Sequence, residues 1–583
     1  MGLLSTTDDT VPVGPAAGAE WTGSRDQVFP EHDPTVVGLL RHTVDTHPDA
    51  IAVATPDERL TYRDLDRRSA ALAARLVSAG VGKGTHVGAL LPNGVGWVVT
   101  WAATTRIGAV ATPVNTFSKR AELATMLRHA DVRVLVATPR FGNHDYVERL
   151  LGVAPELADH DGGGPLLLPS LPQLRRVFWW DTGPEDHPDQ PWAESGLGTG
   201  LDEPVDEALA IVVGAMEDDV VPADPMLITY TSGSTGDPKG VVHGHGPLVR
   251  HARNLAAMSG LGPDDRIWTP MPLCWVGGFS FTLLRALSVG AAFVTQERFE
   301  PATALRLLEQ ERVSFVSAWP NTSATLLGHP DFASTDLSHL RRGTFYDARP
   351  ADERPTDPGL AVTSLGMSET AGPHTFWTDE DEVHGSPEAY RGAFGHEVPG
   401  VEHRIVDDEG NDVAEGIEGE VWVRGYSVML GLHKVERAEV FDADGWFHTG
   451  DRGLFRDGWF FFTGRETDLI KTRGSNVAPA EVEKALGARE GVKQAYVFGV
   501  DHPDRGQDVV ALVVLDDEAP GGPPTPDAIR GALADELSSY KLPRHVFPIE
   551  AGDVPFMTSQ KPDRRALART AAELVARAAI SGG

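Results

Sequence analysis

Between Leu227 and Gly240 the chain reads Leu-Ile-Thr-Tyr-Thr-Ser-Gly-Ser-Thr-Gly-Asp-Pro-Lys-Gly, a run dense in groups that can hold an anion. An apolar strand leads into Thr231, Ser232, Gly233, Ser234, Thr235 and Gly236. Small hydroxyl residues mixed with glycines let backbone N–H and side-chain O–H groups converge on one phosphate. Lys239 adds a compact positive charge just beyond. The run is therefore a phosphate loop by composition. It is not the Gly-x-x-x-x-Gly-Lys loop of nucleoside triphosphatases, because Pro238 directly precedes the lysine and the spacing cannot be laid over it.

Two other segments invite chemistry and lose it on inspection. Gly366-Met-Ser368-Glu-Thr370 nearly forms a Gly-x-Ser-x-Gly nucleophile elbow, but Thr370 stands where the last glycine is needed, which argues against a hydrolase. His243-Gly-His245 has ring nitrogens for a metal, yet the chain's single cysteine offers no cluster to complete a zinc site, so a structural role is expected.

The elements that must position these groups alternate helix and buried strand. Thr61-Tyr-Arg-Asp64 is a capping box, Leu65, Leu72 and Leu76 share one helical face, and Gly80 ends the helix. Val87 to Leu91 reads as a strand, Trp97 to Thr104 as a second apolar helix, and Ala109 to Val114 and Val132 to Ala137 as further strands, an order that predicts α/β layers on a parallel sheet. Residues 155 to 222, rich in Gly, Pro, Asp and Glu, read as surface loops. Past residue 400 the texture becomes antiparallel, with Glu420 to Arg424 alternating at period two and turn dipeptides at Asp444-Gly445 and Asp457-Gly458. The tail predicts a helix from Pro479 to Leu486, strands near Tyr496 to Val500 and Val509 to Leu515, and a helix with Ile529, Leu533, Leu537 and Tyr540 on one face.

Composition narrows the class. The 583 residues carry a formal charge of −33 with 41% hydrophobic residues, which excludes wholesale disorder and argues against a surface built to wrap nucleic acid. No apolar run reaches the roughly 18 residues of a membrane span, and residues 1–30 lack the basic and apolar regions of a signal peptide. They read as a flexible leader. Together with one cysteine, this predicts a soluble cytoplasmic protein.

The loop at Thr231 to Gly240 resembles the phosphate-binding signature of the adenylate-forming enzymes, the superfamily of acyl-CoA synthetases, peptide-synthetase adenylation domains and firefly-type luciferases. Three further blocks recur in that superfamily's order: Leu365-Gly-Met-Ser-Glu-Thr370, Trp446-Phe-His-Thr-Gly-Asp451 and Gly464-Arg-Glu-Thr-Asp-Leu-Ile-Lys471. The resemblance spans about residues 30 to 570 and is closest to ligases joining a hydrophobic acid to CoA. It implies an α/β fold with a large N-terminal domain of layered αβ subdomains and a β-barrel-like subdomain (31–466), followed by a small mobile α+β C-terminal domain (467–583).

The implied reaction is attack of a carboxylate on the α-phosphate of ATP, giving an acyl-adenylate and pyrophosphate, then acyl transfer to the thiol of CoA. ATP, Mg²⁺ and coenzyme A are the implied cofactors. Since a carboxylate needs no base to become a nucleophile, catalysis reduces to positioning and charge neutralisation. By the same resemblance Thr231 and its loop, with Lys239, hold phosphates. Glu369 holds Mg²⁺, Ser368 contacts the α-phosphate, and Asp451 takes the ribose hydroxyls beside Arg465. Lys561 matches the lysine that pulls on the reacting groups. The implied hinge falls at Thr467, with Lys471, Arg473 and Gly474 brought over the site for thioester formation.

The block Pro270 to Ser280 matches the acyl pocket, with Trp275, Gly277 and Phe279 joined by Gly366 and Met367. No Asp or Glu occurs from Arg266 to Gln296, so an amino acid's ammonium would lack a counter-charge and a hydrophobic acid is expected, fatty, alicyclic or aromatic. The chain departs from the family pattern at Gln560, which replaces a glycine before Lys561, at Leu365, at Thr467, and across Gly343 to Pro350 in the adenine wall. These departures keep two alternatives open: an acyl-AMP ligase with a carrier-protein acceptor, and a catalytically silent nucleotide-binding homologue. The expected partners are the small-molecule acid, ATP and CoA, with no nucleic acid and no integral membrane contact, in a monomer or homodimer.

Overall fold

The computed structural model describes residues 27–180, 190–232, 238–465, 469–516, 519, 522–555 and 562–581. Two mostly parallel sheets form the large domain. One runs in the order Arg342–Gly343, Phe315–Val316, Arg266–Trp268, Ala292–Val294, Ile51–Ala54 and Arg59–Thr61. The other runs Gly431–Leu432, Pro238–Gly244, Pro225–Ser232, Val110–Pro113, His86–Leu90, Val134–Ala137 and Arg176–Trp179. The helices Tyr62–Ser78 and Val95–Arg106 share the same large hydrophobic core, where Trp97 and Trp101 are fully buried. Thr61 caps the first of these helices as its sequence predicts, accepting from the Asp64 N–H while Asp64 accepts from the Thr61 N–H.

Residues 155 to 222 hold more structure than loops. Arg176–Trp179 is the edge strand of the second sheet and Glu207–Asp218 is a helix capped by Asp206. The strand is only 4 residues long and is flanked by Gly- and Pro-rich chain, so its local signal is swamped while its pairing with Val134–Ala137 is not.

The antiparallel texture past residue 400 becomes a four-stranded sheet, Val401–Val406, Gly419–Gly425, Phe447–Arg456 and Trp459–Arg465. A three-stranded sheet of Leu365–Met367, Gly372–Phe376 and His396–Glu397 adjoins it through backbone bonds joining Phe394 and Gly395 to Phe460. The small domain is a sheet of Ser475–Val477, Ile470–Thr472, Gly506–Leu515, Val492–His502 and His545–Pro548, with apolar cores on its two faces. Leu567 and Ala571 of the last helix, Arg564–Ser581, seal one of these cores.

The helix carrying Ile529 ends at Leu533, short of the face that sequence periodicity extends to Tyr540. Ser538 and Ser539 are weak helix formers, and the Ser538 hydroxyl is engaged across the domain boundary instead. The departure frees Tyr540 to point at the large domain.

Candidate active site

The strands Pro225–Ser232 and Pro238–Gly244, which carry the two ends of the hydroxyl-rich run, pair antiparallel with Thr231 directly opposite Lys239. Buried Met226, Leu227 and Ile228 anchor the first strand. Gly233, Ser234, Thr235 and Gly236 lie outside the described residues, and only the backbone of Ser232 is described.

Glu369 sits in a tight turn, Ser368–Thr370, between the strands Leu365–Met367 and Gly372–Phe376. Its neighbours are fixed by an unusual density of bonds. The Ser368 carbonyl accepts from His243 Nε2 at 2.6 Å, the Glu369 carbonyl from the Met429 N–H at 2.8 Å, and the Ala371 carbonyl from Ser280 Oγ at 2.6 Å. Ala371 is held at φ +62°, a left-handed conformation that costs an alanine on the order of 1 kcal/mol. Gly366 is required here, because a Cβ would lie 2.4 Å from the Gly372 carbonyl oxygen. Burial holds the His243 imidazole down at about 4. It is therefore neutral at pH 7, and its proton must be on Nε2 to bond a carbonyl. The His243-Gly-His245 pair is thus structural, with His245 Nδ1 accepting from the Val36 N–H at 3.3 Å.

Asp451 is nearly closed to solvent at 3% exposure, on Phe447–Arg456 opposite Arg465 in the sheet register. Its N–H donates to Thr449 Oγ1 at 3.0 Å. Only the backbone of Arg465 is described.

From the Pro270–Ser280 block, Trp275 and Gly277 face the same cavity as Met271 and Val276, joined by Phe281. Phe279 does not. Its ring is buried 5.5 Å from Trp97 and 5.3 Å from Trp101. Residues Phe279–Leu284 make a π-type turn, wider than the α-helix, and it is Phe281 that reaches the cavity, edge-on to Trp377 at 6.2 Å. Burial pushes the Cys274 thiol up to about 12, which leaves it unreactive.

The small domain contributes the far wall. Ile470–Thr472 and Ser475–Val477 form a hairpin whose turn residues, Arg473 and Gly474, both have positive φ, +50° and +82°. A Cβ on Gly474 would lie 2.5 Å from the Trp319 indole, so the hairpin tip rests flat on that ring. The Lys471 ammonium lies 5.3 Å from the Phe462 ring centre. Tyr540 stands edge-on to Trp275 at 6.3 Å, and Trp275 meets Trp319 at 5.9 Å and Phe117 at 6.5 Å.

One cavity of about 1540 Å³ thus joins Thr231, Trp275, Gly277, Gly366, Met367, Ser368, Glu369, Asp451, Lys471 and Gly474, drawn from both domains. Lys239 and Arg473 are beside it without lining it; Arg473 donates its N–H to the Arg505 carbonyl at 2.9 Å. Thr467 and Lys561 lie outside the described residues. Phe117 and Trp319 went unread in the sequence because no local motif marks them, and Tyr540 was read only as part of a helix face. The one available signal was a tyrosine in a stretch where two serines already weaken the helix.

Residues 40–433 match the family model of AMP-binding enzymes, and residues 481–561 match that of the AMP-binding enzyme C-terminal domain. The chain belongs to this family of enzymes. It is 32% identical over 506 residues to a feruloyl-CoA synthase of Amycolatopsis sp, covering 86% of this chain and 92% of that one. It is 30% identical over 519 residues to an indoleacetate–CoA ligase of Aromatoleum aromaticum, covering 87% and 93%. The solved structure of the amide bond synthetase McbA from Marinactinospora thermotolerans shares the fold with a TM-score of 0.71 at 27% identity, over 91% of this chain and 99% of that one. Among the described residues no helix is long and apolar enough to cross a membrane.

Proposed function

We infer that this chain is an ATP-dependent acid–CoA ligase that activates a hydrophobic carboxylic acid as its acyl-adenylate and passes the acyl group to the thiol of CoA. The observation that carries the reading is the shared cavity, which collects the Thr231 strand end, Glu369 and Asp451 from the large domain and the Lys471–Gly474 hairpin from the small one.

The residues fit Mg²⁺. That ion takes one or two carboxylates and fills its octahedron with phosphate oxygens and water, and Glu369 offers one carboxylate at the cavity wall. Among the described residues no three His, Cys, Asp or Glu groups gather to make a protein-only site. When bound, the ion supplies charge neutralisation across the triphosphate. The hydroxyl loop beginning at Thr231 cradles the phosphates, Ser368 meets the α-phosphate, and Asp451 takes the two ribose hydroxyls. Lys561 draws the acid's carboxylate and the α-phosphate together. The carboxylate oxygen then bonds to phosphorus and pyrophosphate leaves.

In the second step the CoA sulfur attacks the acyl carbon, the C–O bond to phosphate breaks, and AMP departs. On this reading the hairpin resting on Trp319 belongs to the arrangement for this step, and Gly474 lets its tip approach that ring. The acid is a ring-bearing one. The Trp275, Phe281, Trp319 and Trp377 side chains offer flat apolar walls, and two relatives act on aryl acids by name.

The test is a panel of aryl, alicyclic and fatty acids mixed with ATP and Mg²⁺, read as pyrophosphate release and, with CoA added, as thioester. Aryl acids should give both signals. Lys561→Ala should abolish pyrophosphate release while nucleotide binding persists. Pyrophosphate release without thioester would transfer the chain to another acceptor, and silence with every acid would refute the reading.

A further inference from the structure

One charged contact between the two domains is almost closed to solvent. Lys541 Nζ lies 2.7 Å from Glu122 Oε1 and 2.7 Å from Glu481 Oε1, with side-chain exposures of 10%, 13% and 11%. Ser538 Oγ donates to Glu122 Oε2 at 2.6 Å. Glu122 belongs to the large domain, in the first turn of helix Arg120–His129, where Oε2 also accepts from the Lys119 N–H at 2.8 Å. Its carboxylate is therefore fixed by its own helix before any partner arrives. Lys541, Ser538 and Glu481 all belong to the small domain. The Lys541–Glu481 pair can travel with that domain, whereas the bonds from Lys541 and Ser538 to the Glu122 carboxylate break when the domain leaves.

The charge arithmetic makes this contact a docking device rather than inert glue. Burial by itself would depress the Lys541 ammonium, but Tyr540, Glu122 and Glu481 together raise it above the ordinary lysine value, so it stays charged. Docked, one cation faces two carboxylates. Without the cation those carboxylates would face each other in a nearly dry gap, and like charges there push the domains apart. The same short segment carries Tyr540 to Trp275, and the same docked position lays Gly474 on Trp319.

We propose that Glu122 is the large domain's docking point for the small domain in the thioester-forming arrangement, engaged there by Lys541 and Ser538, so that acyl transfer to CoA depends on it and adenylate formation does not. This rests on the two-step reading above. Glu122 and Lys541 are positioning residues; they act by placing the Lys471–Gly474 hairpin.

The experiment compares wild type with Glu122→Gln, Lys541→Met, Lys541→Arg and the double variant Glu122→Gln/Lys541→Met in single turnovers. One measurement follows pyrophosphate release with ATP, Mg²⁺ and an accepted acid, and the other follows thioester formation when CoA is added to preformed acyl-adenylate. Pyrophosphate release should stay within about twofold in every variant. Thioester formation should fall about tenfold or more in Lys541→Met and less in Glu122→Gln. It should recover in part in the double variant, where the facing carboxylates are no longer both charged. Lys541→Arg should keep most of the rate, and it carries the comparison with Glu122→Gln if the methionine variant fails to fold. Unchanged thioester rates, equal losses in both measurements, or a double variant that loses the product of the single losses would each overturn the proposal. A wild-type enzyme that releases pyrophosphate yet forms no thioester would overturn the two-step reading first, and this proposal with it.

Discussion

The two walls of the cavity are built by different physics. The Glu369 wall is a turn between paired strands, pinned by His243, Met429 and Ser280 and backed by the large domain's main core. The opposite wall is a hairpin tip resting on an indole, with Lys541 and Ser538 reaching to Glu122 beside it. Close-packed apolar contacts and pinned backbone do not let go without unfolding. A few charged contacts and one flat glycine face do. On the proposed two-step reading, this difference assigns phosphoryl chemistry in a fixed geometry to the first wall and arrival and departure to the second.

The largest effect should come from breaking the fixed wall at its chemical point. Glu369→Gln keeps size and shape while removing the charge, and should lower pyrophosphate release by roughly 10² to 10³. Excess Mg²⁺ should restore little of it. Thioester formation from supplied acyl-adenylate should fall far less, since the triphosphate has by then departed. Equal losses in the two measurements would mean that the walls do not divide the labour.

The converse substitution is Gly474→Val. At φ +82° and 2.5 Å from the Trp319 ring, a branched side chain is both strained and obstructed. Thioester formation should drop by about tenfold to a hundredfold, with pyrophosphate release nearly intact. A variant as fast as wild type in both would show that the hairpin does not need to sit on the indole.

These two walls were unequally legible in the amino-acid sequence. The run from Thr231 to Gly240 declares itself by composition, whereas Glu369 and Asp451 were legible only through the resemblance of their short blocks to a known family, since each taken alone reads as a surface charge. The contacts of the second wall join residues far apart along the chain: Lys541 and Glu122 are separated by 419 positions, and nothing near either one announces the other. Phe279 misled for a local reason, since a π-type turn exchanged its place with Phe281. The strand at Arg176–Trp179 was hidden by its loop-rich flanks, because its stability comes from the neighbouring strand rather than from itself.

Acidification separates the walls thermodynamically. Burial depresses His243 and His245 to about 4 and His251 to about 3, against an ordinary 6.5, and all three lie in the large domain. A histidine whose folded value is depressed gives its full stability above the unfolded value and loses it as pH falls toward the folded one. Between pH 7 and pH 5 each should therefore cost roughly 2 kcal/mol of stability. The small domain's His545 is also depressed but only partly buried. Hydrogen exchange at pH 7 and pH 5 should show protection lost first around the Glu369 turn; earlier loss in the small-domain sheet would reverse the comparison.

The smallest expected effect is also the most discriminating, because Trp275 and Tyr540 touch the same space from different walls. On the two-step reading Trp275 is present whichever way the small domain is turned, so Trp275→Ala should raise the KM for the acid in pyrophosphate release and that for supplied acyl-adenylate in thioester formation, each about tenfold, and widen the range of acids accepted. On the same reading Tyr540 arrives only with the docked domain. Tyr540→Leu should leave the acid's KM in pyrophosphate release unchanged and slow thioester formation by less than about fivefold, the loss expected for one edge-on aromatic contact. If Tyr540→Leu altered acid binding in the first half-reaction as Trp275→Ala does, the tyrosine would belong to the fixed wall, and the small domain would have to be docked during adenylate formation as well.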